Sequence, residues 1–195
     1  MTTTGLFFGS FNPVHIGHLI IADYFVANTD IDEVWFVLSP QNPLKSSADL
    51  LPDEERLNLL ALAVEDNPDF RVSDVELQMP KPSYTVHTIE LLLEKYPERQ
   101  FVLLIGSDNL DVFDQWKDHE RLPELIPIYV YPRSRDVASS DFLDHPRIRL
   151  KPAPMLEISS SNIRQAIREG KNPRYLLPGK VLERIRERGS YERSG

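Results

Sequence analysis

The sequence predicts an α/β protein with a doubly wound, mostly parallel sheet in a three-layer α/β/α arrangement. It reads as one domain over residues 1–195, ending in a helical portion from about residue 158 to 195. Two observations predict the fold class. Short apolar runs bounded by turn residues alternate with stretches of helical spacing, the mark of βαβ units and hence of parallel strands. The runs are also apolar throughout rather than alternating, as expected of strands covered on both faces. A third observation, the length of 195 residues, suits one core that buries roughly 70% of the unfolded surface.

Taken in order, Gly5–Phe8 reads as the first strand and residues 15–28 as the first helix. Val34–Leu38 is the second strand, and prolines punctuate residues 40–52 before a helix over 53–65. Val72–Leu77 reads as a further strand, followed by a second proline-marked stretch at 78–82 and a helix over 85–96. Phe101–Ile105 is the third strongly apolar strand, with Ile128–Tyr131 and Ile148–Lys151 as shorter candidates. Helices over 160–169 and 178–188 close the chain, Pro178 suiting a first helical position.

Composition narrows the function classes. The chain has no cysteine, so disulfides, thiolate metal sites and cysteine nucleophiles are excluded. Its net charge of −8 argues against nucleic acid, whose binding relies on many Lys and Arg contacts to phosphates. A small anionic ligand needs only a few placed cations. No apolar stretch is long enough to span a membrane, and MTTTGLFFGS has no basic region before its apolar run, so a cytoplasmic location is expected.

The segment GSFNPVHIGH, residues 9–18, falls where the first strand hands over to the first helix. Gly9 permits a tight turn and a close backbone approach, and the amides of the helix start offer donors to an anion. It is neither a GxxxxGK[ST] loop nor a GxGxxG fingerprint. His15 and His18, three residues apart, share one helix face beside those amides and can bracket a phosphoryl group. Taken alone, the pair reads equally as a capping residue and a half-buried helix residue. A closed zinc site is disfavoured, because His87, His119 and His145 lack matching pair spacing.

The whole string resembles the HxGH signature of the nucleotidylyltransferase superfamily, whose members bring the α-phosphate of a nucleoside triphosphate beside it. Class I aminoacyl-tRNA synthetases share an HIGH string, but no KMSKS-like segment accompanies it here. ISSSNIR, residues 158–164, is on its own a serine-capped helix start with an arginine one turn in. It is similar to the ISSTxIR motif of the same superfamily. SYTVHT at 83–88, IGSDNLDVFDQW at 105–116 and PQNPLK at 40–45 narrow the resemblance to bacterial-type nicotinate-mononucleotide adenylyltransferases.

That resemblance, running in order from about residue 5 to 181, implies a Rossmann-like nucleotidylyltransferase fold and transfer of AMP from ATP to nicotinate mononucleotide. It implies that His18, with the loop amides near Gly9, Ser10 and Phe11, meets the α-phosphate, while His15, Arg164, Ser160 and Ser161 hold the outer phosphates. Gly106 and Asp108 would lie at the adenosine, and Tyr84, Thr85 and Trp116 around the pyridine ring, while Lys45 and Arg133 would reach substrate phosphates. Mg2+ would enter on the ATP phosphates, with no protein-built metal site. The implied partners are ATP and nicotinate mononucleotide, and a homodimer is one option left open. The alternatives are a nicotinamide-mononucleotide enzyme, a phosphopantetheine relative, or a non-catalytic nucleotide sensor. The chain departs from the family pattern at Asn12, where Asp is usual, at Ser10, where Thr is frequent, at Leu44, where many relatives have His, and at His87, which replaces an acidic residue.

Overall fold

The computed structural model describes residues 1–40, 50–133 and 141–192. Six strands form one sheet in the order β3-β2-β1-β4-β5-β6. They are β1 (Thr2–Gly9), β2 (Glu33–Leu38), β3 (Phe70–Ser73), β4 (Arg99–Gly106), β5 (Ile128–Tyr131) and β6 (Ile148–Leu150). Every pairing is parallel, with Gly9 beside Leu38 on one side of β1 and Phe7 beside Leu104 on the other. The chain winds outward from β1 to β3 and then returns to β4 on the other flank of β1. The strand order therefore reverses between β1 and β4, and in such sheets the crevice outside the carboxyl ends at that point takes the ligand.

The helices are α1 (Ile16–Asn28), α2 (Asp53–Val64), α3 (Thr85–Lys95), α4 (Ser107–Leu110), α5 (Arg121–Leu125), α6 (Ser160–Arg168) and α7 (Gly179–Arg188). Successive strand residues point to opposite faces, so β1 sends Phe7 to one core and Leu6 to the other. The first core packs Phe7, Phe36 and Leu38 against Phe25 of α1, Leu59 and Leu60 of α2, and Val181 and Ile185 of α7. The second packs Leu6, Val37, Leu103 and Ile105 against Ile89 of α3 and Leu122 of α5. This is the three-layer arrangement the apolar strands predict.

One expected element is corrected. Val72–Leu77 is not a single strand: β3 ends at Ser73, and Val75–Gln78 is a 3₁₀ turn that places Glu76 in the protein interior. Alternating polarity over VSDVEL suits a strand face, yet Glu76 turns inward to meet hydroxyl groups. The short α4 and α5 lie in stretches that read as connections in the sequence, because four or five residues carry too little periodicity to register. The helix of the last portion ends at Gly189, whose left-handed φ of 63° closes α7.

Candidate active site

At the carboxyl ends of β1 and β4 lies a cavity of about 550 Å³. One end is built from the segment joining β1 to α1. Gly9 is needed there because a Cβ would stand 2.9 Å from the ring of Phe11. Phe11 itself adopts a left-handed φ of 42°, a strained conformation for a side-chain-bearing residue. Its buried ring offsets the strain by packing edge-on to Phe7 and to His18, at 6.0 and 5.1 Å between centroids. The loop is thus anchored from within and its backbone held at the cavity.

His15 caps α1 in an extended conformation, and its backbone N–H donates to Nδ1 of His18 at 3.2 Å. Because Nδ1 of a neutral His18 accepts, its proton sits on Nε2, which is therefore the donor. The two imidazoles stack face to face, 3.6 Å between centroids and 17° apart in plane. Only 2% of His15 is exposed. That burial, with the Arg133 charge as a second cause, pulls its pKa down from 6.5 to about 4, so the ring is neutral near pH 7. Its Nδ1 is buried without a hydrogen-bond partner, a cost borne within the fold. A Cβ at Gly17 would lie 3.0 Å from that same nitrogen, which explains the glycine between the two histidines.

A second helix start converges on this loop from far along the chain. Ser159 caps α6 by accepting from Asn162 N–H at 3.2 Å. Ser160 Oγ donates to the Pro13 carbonyl at 2.9 Å, and Arg164 Nη1 donates to the Asn12 carbonyl at 2.9 Å. The Asn12 side-chain oxygen accepts from Tyr191 O–H at 2.7 Å and from Leu51 N–H at 3.2 Å. Below the loop, wholly buried Arg56 of α2 donates to the carbonyls of Ser10 at 2.6 Å, Ser39 at 2.9 Å, Pro40 at 3.0 Å and Leu51 at 3.0 Å, while pairing with Asp53 at 2.5 Å. The amides of two helix starts, two imidazoles and a guanidinium therefore face one region, an arrangement suited to several phosphate groups.

The walls differ in chemistry. At the end of β4, Gly106 leaves room for Asp108 and Arg133: a Cβ there would lie 2.4 Å from Asp108 Oδ1 and 2.6 Å from Arg133 Cγ. Arg133 N–H donates to Ser107 Oγ at 3.0 Å, and its Nε lies 3.8 Å from Asp108 Oδ2. At the opposite wall, Tyr84 precedes α3 and makes no side-chain capping hydrogen bond to it. Trp116, packed on Phe113 at 5.5 Å, stands beside it with Thr85, Ser83 and Lys117. Glu76 lies in this wall, 2% exposed, and accepts from Ser83 Oγ at 2.9 Å and Thr88 Oγ1 at 2.8 Å. Burial holds its carboxyl above the usual range, against the pull of those hydroxyls.

Residues 6–166 match the cytidylyltransferase-like family model, a span that includes both converging helix starts. The chain belongs to the cytidylyltransferase-like family. A Cytophaga hutchinsonii protein named "Probable nicotinate-nucleotide adenylyltransferase" is 49% identical, covering 96% of this chain and 97% of that protein. One of the same name from Bacteroides thetaiotaomicron is 52% identical over 94% of this chain and 91% of its own. Plasmodium falciparum nicotinic acid mononucleotide adenylyltransferase, solved with NaAD, superposes with a TM-score of 0.82 at 19% identity, covering 98% of each chain, and shares the fold.

In this cytidylyltransferase-like chain the cavity gathers most residues singled out from the sequence. Gly9, Ser10, Phe11, His15, His18 and Arg164 line one end with Ser160 and Ser161, Asp108 and Arg133 line the flank, and Tyr84, Thr85 and Trp116 line the far wall. Gly106 does not line the cavity and serves by leaving space for its neighbours. Lys45, with most of PQNPLK, lies outside the described residues. Sequence reasoning missed Arg56, Glu76 and Lys117. Arg56 carried a signal, since it stands three and four residues before Leu59 and Leu60 on an apolar helix face, where a charge demands a partner. Glu76 is flanked by Val75 and Leu77, and only its inward turn separates it from an exposed acid.

Proposed function

We propose that this protein transfers the adenylyl group of ATP to nicotinate mononucleotide, giving the deamido dinucleotide and pyrophosphate. The observation that carries the reading is the pairing of two chemistries in one cavity: converging helix starts with stacked His15 and His18 at one end, and Trp116 beside the start of α3 at the other. The names of the 49% and 52% identical relatives support the same substrate. The Plasmodium enzyme was also solved with APC, in keeping with nucleotide occupancy of this fold.

The nucleophile arrives ionised, because a phosphate monoester carries about −1.5 to −2 charge near neutral pH. A phosphate oxygen of the mononucleotide attacks the α-phosphorus of ATP. The bond from that phosphorus to the bridging oxygen breaks, and pyrophosphate leaves with the electron pair. No base and no covalent enzyme intermediate is needed. The protein aligns two mutually repelling anions and stabilises the charge that develops on the α-phosphoryl and leaving oxygens. In this reading His18 Nε2 and the Ser10 and Phe11 amides serve the α-phosphate. His15, Arg164, Ser160 and Ser161 serve the outer phosphates, and Asp108 and Arg133 flank the nucleoside and mononucleotide. The helix start of α3, at Thr85, suits the pyridine carboxylate, and the Trp116 face suits the ring.

Mg2+ belongs to this proposal as the partner of the ATP phosphates. Among the described residues no group of three or more His, Asp or Glu gathers to hold a metal. No described helix is long and apolar enough to cross a membrane. A cytoplasmic location and a homodimer complete the proposal, to be checked by fractionation and by light scattering. The direct test is pyrophosphate release from ATP with nicotinate mononucleotide. His18→Ala is expected to lower kcat about 10²–10³-fold, the effect of losing one preorganised donor. Binding of both substrates without any pyrophosphate release would favour a sensor, and full turnover by His18→Ala would remove His18 from the chemistry.

A further inference from the structure

Lys117 lies one residue beyond Trp116 and lines the same cavity. Its ammonium stands over the ring of Tyr84, 4.6 Å from the centroid, so a cation–π contact tethers the charge at the wall formed by Tyr84, Thr85 and Trp116. The other permanent cations lining the cavity are already engaged: Arg133 faces Asp108, and Arg164 donates to the Asn12 carbonyl and Ser161 Oγ. Lys117 faces no carboxylate at ion-pair distance among the described residues.

The same wall also holds a buried carboxyl group. Glu76 lies in it and bonds Ser83 and Thr88, the residues on either side of Tyr84 and Thr85. A pyridine ring bearing a carboxylate would bring a full negative charge to this end, whereas a ring bearing a carboxamide would not. Taking that charge out of water disfavours binding unless an opposite charge stands near. The α3 amides supply a partial positive charge only. The full charge that can decide between acid and amide is therefore that of Lys117.

We infer that Lys117 is a specificity-determining residue whose ammonium, seated on the Tyr84 ring, pairs with the pyridine carboxylate and sets the preference for the acid over the amide. This rests on nicotinate mononucleotide being the acceptor. Its position at the aromatic wall, on Tyr84, assigns it to the ring rather than to the phosphates beside His15 and His18. A hydrogen bond to an ionised acceptor is about twice as strong as one to a neutral acceptor, so the same ammonium gains less from a carboxamide.

The test measures kcat/KM for nicotinate mononucleotide and for nicotinamide mononucleotide at saturating ATP, in the wild type, Lys117→Met and Lys117→Arg. The wild type is expected to prefer the acid. Lys117→Met is expected to lower the acid-to-amide ratio about tenfold, through KM for the acid, while Lys117→Arg keeps the ratio within about threefold. Raising NaCl should weaken acid binding more in the wild type than in Lys117→Met, because the pair is screened. A wild type that prefers the acid with a Lys117→Met ratio unchanged would overturn the role of Lys117 and leave the nicotinate reading standing. Equal losses for both mononucleotides would also overturn it, marking a structural contribution only. A wild type that prefers the amide would overturn the nicotinate reading and this inference together.

Discussion

The depressed pKa of His15 makes stability depend on pH in a defined window. Burial first, and Arg133 second, hold the folded-state value at about 4 against an ordinary 6.5. Between those values the unfolded chain binds a proton at this site that the folded chain does not, so stability rises with pH through the window and is lost as pH falls. The full effect is about 3 kcal/mol, from a difference of about 2.5 units at 1.36 kcal/mol each. Between pH 7 and pH 5 it amounts to about 2 kcal/mol, or roughly 4–8 °C in Tm for a chain of this size. Carboxylates titrate over the same range, and Glu76, whose folded value is raised, acts in the opposite sense. They act equally in a His15→Asn protein, so the comparison isolates the imidazole.

The assay is urea unfolding of both proteins at pH 5, 6 and 7. The wild type should lose about 2 kcal/mol more than His15→Asn on going from pH 7 to pH 5. Saturating ATP should shrink that difference, because phosphate charge beside His15 favours the protonated ring. Parallel pH profiles for the two proteins, without ligand, would refute the claim that His15 is buried neutral.

Two further substitutions probe the supports of the site. Arg56→Met should cost about 3–5 kcal/mol, chiefly because it strands the carbonyls of Ser10, Ser39, Pro40 and Leu51, each buried carbonyl left unpaired costing about 1–3 kcal/mol, while Asp53 keeps Lys81 as a partner. Thermal unfolding should register a fall of roughly 10 °C, and a fall under about 2 °C would show the clamp to be dispensable. Gly106→Ala should displace Arg133 and Asp108, lowering stability by about 1–3 kcal/mol and raising KM for the substrates, and steady-state kinetics equal to wild type would contradict the close contacts at that glycine.

How much of the fold and the site is legible in the sequence depends on the range of each interaction. The helices over 16–28, 53–64 and 85–95 and the three apolar strands are readable within a few residues, because apolar spacing and turn residues are local properties. The segments GSFNPVHIGH and ISSSNIR are readable for the same reason, since Gly9, His15 and His18 need only one turn and one helix start, and Ser159 only a helix start. The 3₁₀ turn at Val75–Gln78 is not, because its cause is the set of hydroxyl groups that Glu76 meets at Ser83 and Thr88, residues 7 and 12 positions away.

By itself, then, the sequence determined the alternation of strands and helices, the place of the glycine turn, and the residue types able to hold phosphate. Tertiary structure decided which of them meet: Ser160 reaches the Pro13 carbonyl across 147 positions, Arg164 reaches that of Asn12 across 152, and Tyr191 reaches the side chain of Asn12 across 179. It also decided that His15 is neutral and that Lys117 stands over Tyr84. Those outcomes depend on burial and on distances closed by the sheet, and neither quantity exists in the chain until β1 and β4 lie side by side.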